Sequence, residues 1–326
     1  MGVFFTSIQS VVAIVIMIAV GYLGQALGWF DEKFAGSLSK LIMQVALPAS
    51  IFMAMMQYFN PTSLAKLSAG LLYTLLSIVL GYLITFVAVK FLGVPKGRRG
   101  LMMTAINGAN TVFIGMPLNI ALFGEVSVPY LLTYFIVNTL IIWTVGMWVI
   151  ASDDPTRSDQ HQTKAKLDWH HLIPAPLWGF IFALPFIYIP ALKAGLMKLT
   201  FATMALTDIG ALVTPLSLIY IGIMLRSFGI LNMHFDAQVI WTLVGRFVIS
   251  PLVMAGIIFI GFHTGITINT VFQQTLIIQA ATPALAVLPI LANTYHGDVK
   301  FATNIVVSTS VLFIVIIPII MVLQSL

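Results

Sequence analysis

Residues 107–118 read NGANTVFIGMPL and residues 279–290 read QAATPALAVLPI. Each stretch lies inside a long apolar run and interrupts it with amides, hydroxyls, glycine or proline. Proline removes an amide donor and clashes with the turn before it, and glycine has little helical preference. Helices should therefore fail at both places, around Gly108, Gly115 and Pro117 in the first and Pro283 and Pro289 in the second. In hydrocarbon the freed backbone groups need partners, so a broken helix must be buried in protein or line a wet cavity. Asn107, Asn110, Thr111, Gln279 and Thr282 supply such partners and also offer polar groups to a solute.

The two stretches correspond to one another. Pro117 aligns with Pro289, and Gly124-Glu125-Val126 follows the first stretch as Gly297-Asp298-Val299 follows the second. Upstream, QVALPASIF (44–52) matches ALVTPLSLI (211–219), with Pro48 over Pro215 and Ser50 over Ser217. The order is preserved across all three matches, which marks an internal repeat.

Ten apolar runs frame this repeat: 4–27, 38–58, 67–89, 101–123, 128–151, 172–192, 201–225, 239–262, 271–294 and 301–323. A bilayer crossing needs about 20 apolar residues, whereas barrel strands are about half that length and alternate. Composition agrees, with 60% hydrophobic and 8% charged residues and a mean hydropathy of +1.05. A soluble domain carries roughly a quarter charged residues. The chain is therefore expected to be an all-α integral membrane protein of ten helices, numbered 1 to 10 after these runs. Residues 1–151 form a first five-helix repeat, 152–170 a polar loop, and 171–326 a second repeat. Five is odd, so the copies are inverted, and broken helices 4 and 9 are expected to cross near mid-membrane. Inverted repeats are a transporter device with the substrate site at the repeat interface, and half-helix N-termini aimed at such a site favour an anion.

Orientation follows from Lys and Arg in short loops. With the N-terminus outside, Lys33, Lys40, Lys90, Lys96, Arg98, Arg99, Arg157, Lys164, Lys166, Arg226 and Lys300 are cytoplasmic, against Lys66, Lys193 and Lys198 outside. Both termini are then extracellular and the central loop cytoplasmic, in the plasma membrane. The basic residues read as topology determinants, so the net charge of +5 does not call for nucleic acid. The first run has no basic region before it and no cleavage site, and reads as a retained helix. No cysteine is present, which excludes disulfides and thiolate metal sites, and nothing calls for a cofactor.

Two ionisable residues fall inside predicted helices. Arg246 lies roughly 10 Å into helix 8 at about 1.5 Å per residue. A central arginine costs about 2.5–3.5 kcal/mol on insertion scales. It can neutralise a carboxylate substrate, hold a helix-end carbonyl, or snorkel to the interface. Asp208 in helix 7 reads as a hydrogen-bonding group or a coupling site. Helices 5 and 10 carry Asn138 and Ser308-Thr309, neutral groups that can coordinate a co-transported ion but cannot exchange protons for sodium.

An intramembrane enzyme would need paired aspartates, a Ser–His arrangement or HExxH. None appears, and His161, His170, His171, His234, His263 and His296 fall in loops or at helix ends. A channel would want a ring of like residues in an oligomer.

NTVFIGMPL in helix 4, ALTDIGALV in helix 7, GRFVISPLVM in helix 8 and QAATPALAVLPI in helix 9 resemble motifs of the auxin efflux carrier family. That family includes plant PIN-type carriers and bacterial permeases for malate and malonate, and the resemblance covers essentially the whole chain. It implies an elevator-type carrier, with helices 1, 2, 6 and 7 as scaffold and helices 3–5 and 8–10 as transport domain. Asn110 matches the family's substrate-contacting asparagine, and Pro283 its helix 9 crossover proline. Ala109 stands where the plant carriers have proline, and helix 3 lacks the acid implicated there in proton linkage. The expectation is a secondary active transporter of small organic anions, with a dicarboxylate such as malate favoured. The alternative is an exporter of an auxin-like aromatic carboxylate. A proton or sodium coupling ion and a homodimer are both left open.

Overall fold

A computed structural model describes residues 2–58, 60–61, 67–156, 175–229 and 233–325, and within them all regular secondary structure is helical. Most of the expected central loop lies outside the described residues, as do Lys66, Arg157, Lys164, Lys166, His161, His170 and His171.

Among the described residues, five helices are long and apolar enough to cross a membrane: Lys33–Gln57, Ser68–Phe91, Glu125–Ser152, Thr200–Ser227 and Ala237–His263. They are the expected helices 2, 3, 5, 7 and 8. Helix 1 runs Gly2–Ala26 and helix 10 runs Val299–Ser325. Helix 4 falls into Arg99–Asn107 (4a) and Met116–Phe123 (4b), and helix 9 into Thr270–Ala280 (9a) and Leu288–Thr294 (9b). None of these halves alone reaches the length a bilayer demands.

Several prolines widen a helix instead of breaking it. Turns of π-helix at Ile42–Ala46, Thr111–Gly115 and Gly245–Ile249 each end two residues before a proline, namely Pro48, Pro117 and Pro251. The ring would strike the carbonyl four residues back, and an i→i+5 turn makes room for it. Pro117 follows its π turn directly into 4b, and Pro289 sits in the first turn of 9b, where a missing N–H costs nothing. The breaks themselves lie earlier in the chain, at 108–110 and 281–287.

Helix 6 corrects the expected boundary at 192. It ends at Tyr188 and the chain turns by 110° into a short helix, Pro190–Lys198. Ile189 is extended, with φ −116° and ψ 92°, as the residue before a proline is pushed to be.

The chain forms two compact units, each drawing on both halves of the chain. The first is Met1–Ala69, Val112–Thr133 and Ile173–Ser227; the second is Gly70–Thr111, Tyr134–Leu172 and Phe228–Leu326. The first unit thus holds helices 1, 2, 6 and 7, together with the second half of helix 4 and the start of helix 5. Within it helices 1 and 7 meet backbone to backbone. A Cβ on Gly21 would lie 2.0 Å from the Ile219 carbonyl oxygen, and one on Gly222 would strike that of Ile18. Small residues of this kind let membrane helices approach closely.

In the second unit, loop ends gather around Arg98. Asp298 caps helix 10 by accepting from the Phe301 N–H (2.9 Å) and accepts from Arg98 Nε (2.7 Å) with its other oxygen. Asp236 caps helix 8 in the same way, accepting from the Val239 N–H (2.8 Å) and from Arg98 Nη1 (3.1 Å). Partial burial pushes the Asp298 carboxyl up, but the Phe301 N–H and the Arg98 guanidinium outweigh it and hold it below the ordinary carboxylate range.

Two outcomes follow for stability. Gly222→Val forces a side chain into the helix 1 backbone, and overpacking costs about 1–3 kcal/mol; the monodisperse fraction and apparent Tm in detergent should both fall, and an unchanged Tm would refute the close contact. An acid held below its unfolded pKa adds stability above that value and loses it as pH falls below about 4. Asp298→Asn should therefore flatten the acid limb of the Tm–pH curve, where parallel curves would contradict the assigned role.

Candidate functional site: a crossing of two broken helices

The site begins with two interruptions in the second unit. Helix 4a stops at Asn107, and Gly108 turns extended at φ −93° and ψ 112°. Helix 9a stops at Ala280, three residues before Pro283. The two extended segments then cross as a single antiparallel bridge between Ala109 and Ala284. The Asn110 N–H donates to the Pro283 carbonyl (2.9 Å), and the Leu285 N–H donates to the Gly108 carbonyl (3.2 Å). Each break supplies backbone partners for the other, which is how non-helical chain survives at membrane depth.

Side chains from helices 5 and 10 complete the crossing. Asn138 accepts from the Ala109 N–H (2.9 Å) and donates Nδ2 to the Ala109 carbonyl (3.0 Å), so one amide clamps both groups of one residue. On the other segment the Ala284 N–H donates to Thr309 Oγ1 (3.2 Å). The Thr309 hydroxyl itself donates to the Ile305 carbonyl (2.8 Å), and the Ser308 hydroxyl faces Asn304 Oδ1 at 3.5 Å. The residues read as ion-coupling candidates are therefore bonded within the protein.

Arg246, fully buried, comes from the π turn of helix 8. Its Nε donates to the Thr282 carbonyl, Nη1 to the Ile106 carbonyl (2.8 Å) and Nη2 to the Gln279 carbonyl (3.4 Å). The Tyr134 side chain neighbours the same guanidinium. One cation thus serves the C-terminal ends of both 4a and 9a, where carbonyls lack helical partners and the dipoles leave negative charge. Among the three roles open for Arg246, the geometry is that of a group holding helix-end carbonyls.

The remaining expected residues divide. Asn110 (7% exposed), Thr111, Gln279 and Thr282 are buried around the crossing, and the Thr282 hydroxyl donates to the Gln279 carbonyl (2.9 Å). Asn107 is buried too, but its amide turns to helix 3, donating to Thr85 Oγ1 (3.1 Å) and to the Met103 carbonyl (2.8 Å). Its Oδ1 occupies the space a Cβ on Gly81 would need. Gly115, Pro117 and Pro289 belong to the turns that follow the breaks. Asp208 lies in the first unit on an exposed face of helix 7. Ala109, Ala284 and Tyr134 carry contacts at the crossing that their residue types did not announce. The only hint for the alanines was position between helix-breaking neighbours.

Residues 6–321 match the family described as membrane transport protein. A transporter of Methanothermobacter thermautotrophicus, described as uncharacterized, is 23% identical over 97% of this chain and 98% of its own length. Another from Methanocaldococcus jannaschii is 22% identical over 94% of this chain and 95% of its own.

Arg246→Lys replaces a planar fork with a single point of charge, leaving at least one buried carbonyl without its donor at a cost of about 1–3 kcal/mol. The apparent Tm should drop clearly below that of the parent, and Arg246→Met should drop it further. Equal Tm in all three would mean that the carbonyls do not depend on the guanidinium.

Proposed function

The chain belongs to the membrane transport protein family, the auxin efflux carriers its motifs resemble, and from that premise we propose that it is a secondary carrier of small organic anions. The observation that carries this reading is the charge of the crossing. Arg246 brings a buried positive charge, and helices 3, 4, 5, 8, 9 and 10 contain no Asp or Glu between their end residues. A cation site would need a fixed or titratable anion there. An anion instead meets amides and hydroxyls, namely Asn110, Thr111, Gln279 and Thr282, beside the buried Arg246 guanidinium. Among anions a dicarboxylate such as malate suits a site rich in neutral donors. The departures at Ala109 and in helix 3 argue against an aromatic auxin.

The proposed mechanism is an elevator in the plasma membrane, with both termini outside. Its support is the division into two compact units that each draw on both halves of the chain. Residues 112–133 group with helices 1, 2, 6 and 7, and we place the boundary between scaffold and transport domain within helix 4.

Counterflow in proteoliposomes with labelled malate, malonate, succinate, citrate and indole-3-acetate tests the reading. Exchange of a dicarboxylate is expected. If none of the acids exchanges while a sodium or pH gradient drives cation flux, the anion assignment fails. Asn110→Ala should lower uptake by more than tenfold at unchanged membrane yield; normal uptake would remove Asn110 from the site.

A further inference from the structure

The second unit holds a cavity of about 690 Å³ that lies away from the crossing, at the ends of helices 8 and 10. This is within the range of sites that enclose small ligands. Arg98, Lys300 and His234 line it with Asn304, and Val239, Val299 and Val307 supply apolar wall. We propose that this cavity binds a phosphate-bearing anion at the cytoplasmic surface, either the headgroup of an anionic phospholipid or a free phosphate ester.

Charge supports the choice. Asp236, which lines the cavity, and Asp298 beside it are engaged on both oxygens: each caps a helix and pairs with Arg98. Lys300 is exposed and pairs with no carboxylate among the described residues. Lys300 is thus the lining cation that Asp236 and Asp298 do not neutralise, since both pair with Arg98. Placement supports it as well. Lys300 and Asn304 stand four residues apart on one face of helix 10. Asn304 accepts from the His234 N–H (3.2 Å) and donates to the His234 carbonyl (2.5 Å), tying that residue's backbone to the same helix. The imidazole and the ammonium are therefore carried by one clamped pair of segments. Neither group takes part in the crossing.

Level in the membrane points the same way. Phe235 (51% exposed), just before helix 8, and Trp241 (46%), near its start, are exposed aromatic side chains of the kind that mark the headgroup zone. Basic pockets between helices on the cytoplasmic side suit acidic headgroups, and the valine wall suits the glycerol and first acyl carbons. The inference rests on the proposed orientation but not on the substrate of the carrier.

The full-length protein in detergent is tested with phosphatidylglycerol, phosphatidylcholine, or glycerol 3-phosphate without lipid, read by native mass spectrometry and apparent Tm. Phosphatidylglycerol should be retained several-fold over phosphatidylcholine and should raise Tm. Lys300→Gln with His234→Gln should cut that retention at least fivefold, while Tm and elution in phosphatidylcholine stay unchanged. The single variant Lys300→Gln, at an exposed position, should show a partial loss and guards against misfolding of the double variant. Stabilisation by glycerol 3-phosphate that competes with the lipid would assign the site to a free ester. Equal retention of both lipids with no effect of glycerol 3-phosphate, or undiminished phosphatidylglycerol binding in both variants, would overturn the proposal. Because the assay reads binding and not transport, its failure is separate from failure of the carrier reading.

Discussion

A helix that breaks inside hydrocarbon leaves carbonyls that lipid cannot bond, and in this protein one guanidinium meets that need for two helices at once. Arg246 reaches the Ile106 carbonyl at the end of 4a and the Gln279 and Thr282 carbonyls at the end of 9a. Inserting an arginine at the centre of a helix costs about 2.5–3.5 kcal/mol. A hydrogen bond to a charged group contributes about 1.5–3 kcal/mol, so two or three of them suffice to offset the insertion. The half-charges at two helix C-termini add to the same balance. A neutral side chain could fill the space but could not answer both helix ends.

The two broken helices meet a shared problem with different chemistry. Helix 5 supports the extended segment that interrupts helix 4, and helix 10 the one that interrupts helix 9. Asn138 does so with an amide that bonds both the N–H and the carbonyl of Ala109, whereas Thr309 offers one hydroxyl oxygen to the Ala284 N–H. Helices 3 and 8 diverge more. Helix 3 receives the Asn107 amide on Thr85 beside Gly81, while helix 8 sends Arg246 into the crossing. The two segments pair through their backbones, and side chains are free to differ wherever they satisfy the same backbone groups.

That distinction explains what was legible in the sequence. The breaks announced themselves through Gly108 and Pro283, because proline and glycine act on the backbone locally. Pro190 carried an equally local signal for the end of helix 6, outweighed in the reading by the apolar residues on either side. The direction of a side chain is set by its neighbours in space. Asn107 and Asn110 look alike in the chain, yet the first turns to helix 3 and the second stays at the crossing. Asn138 read as a possible ion ligand until the Ala109 backbone was found within its reach. Ala109 and Ala284 have no polar side chain to flag them; their contribution is entirely main-chain.

The same bonds restrict how such a site can change its exposure. Segments 108–110 and 283–285 share two backbone hydrogen bonds, and both helix ends share one arginine. Opening the crossing would strand several buried polar groups together, each at a cost of about 1–3 kcal/mol. Access that depended on prising the two segments apart would therefore carry a barrier of many times the thermal energy. Moving the crossing as an intact body leaves every one of those bonds in place. For the carrier mechanism proposed above, displacement of the crossing as a rigid body, site included, is thus the cheaper route. It is also the route on which Arg246 need never release a carbonyl to meet a substrate.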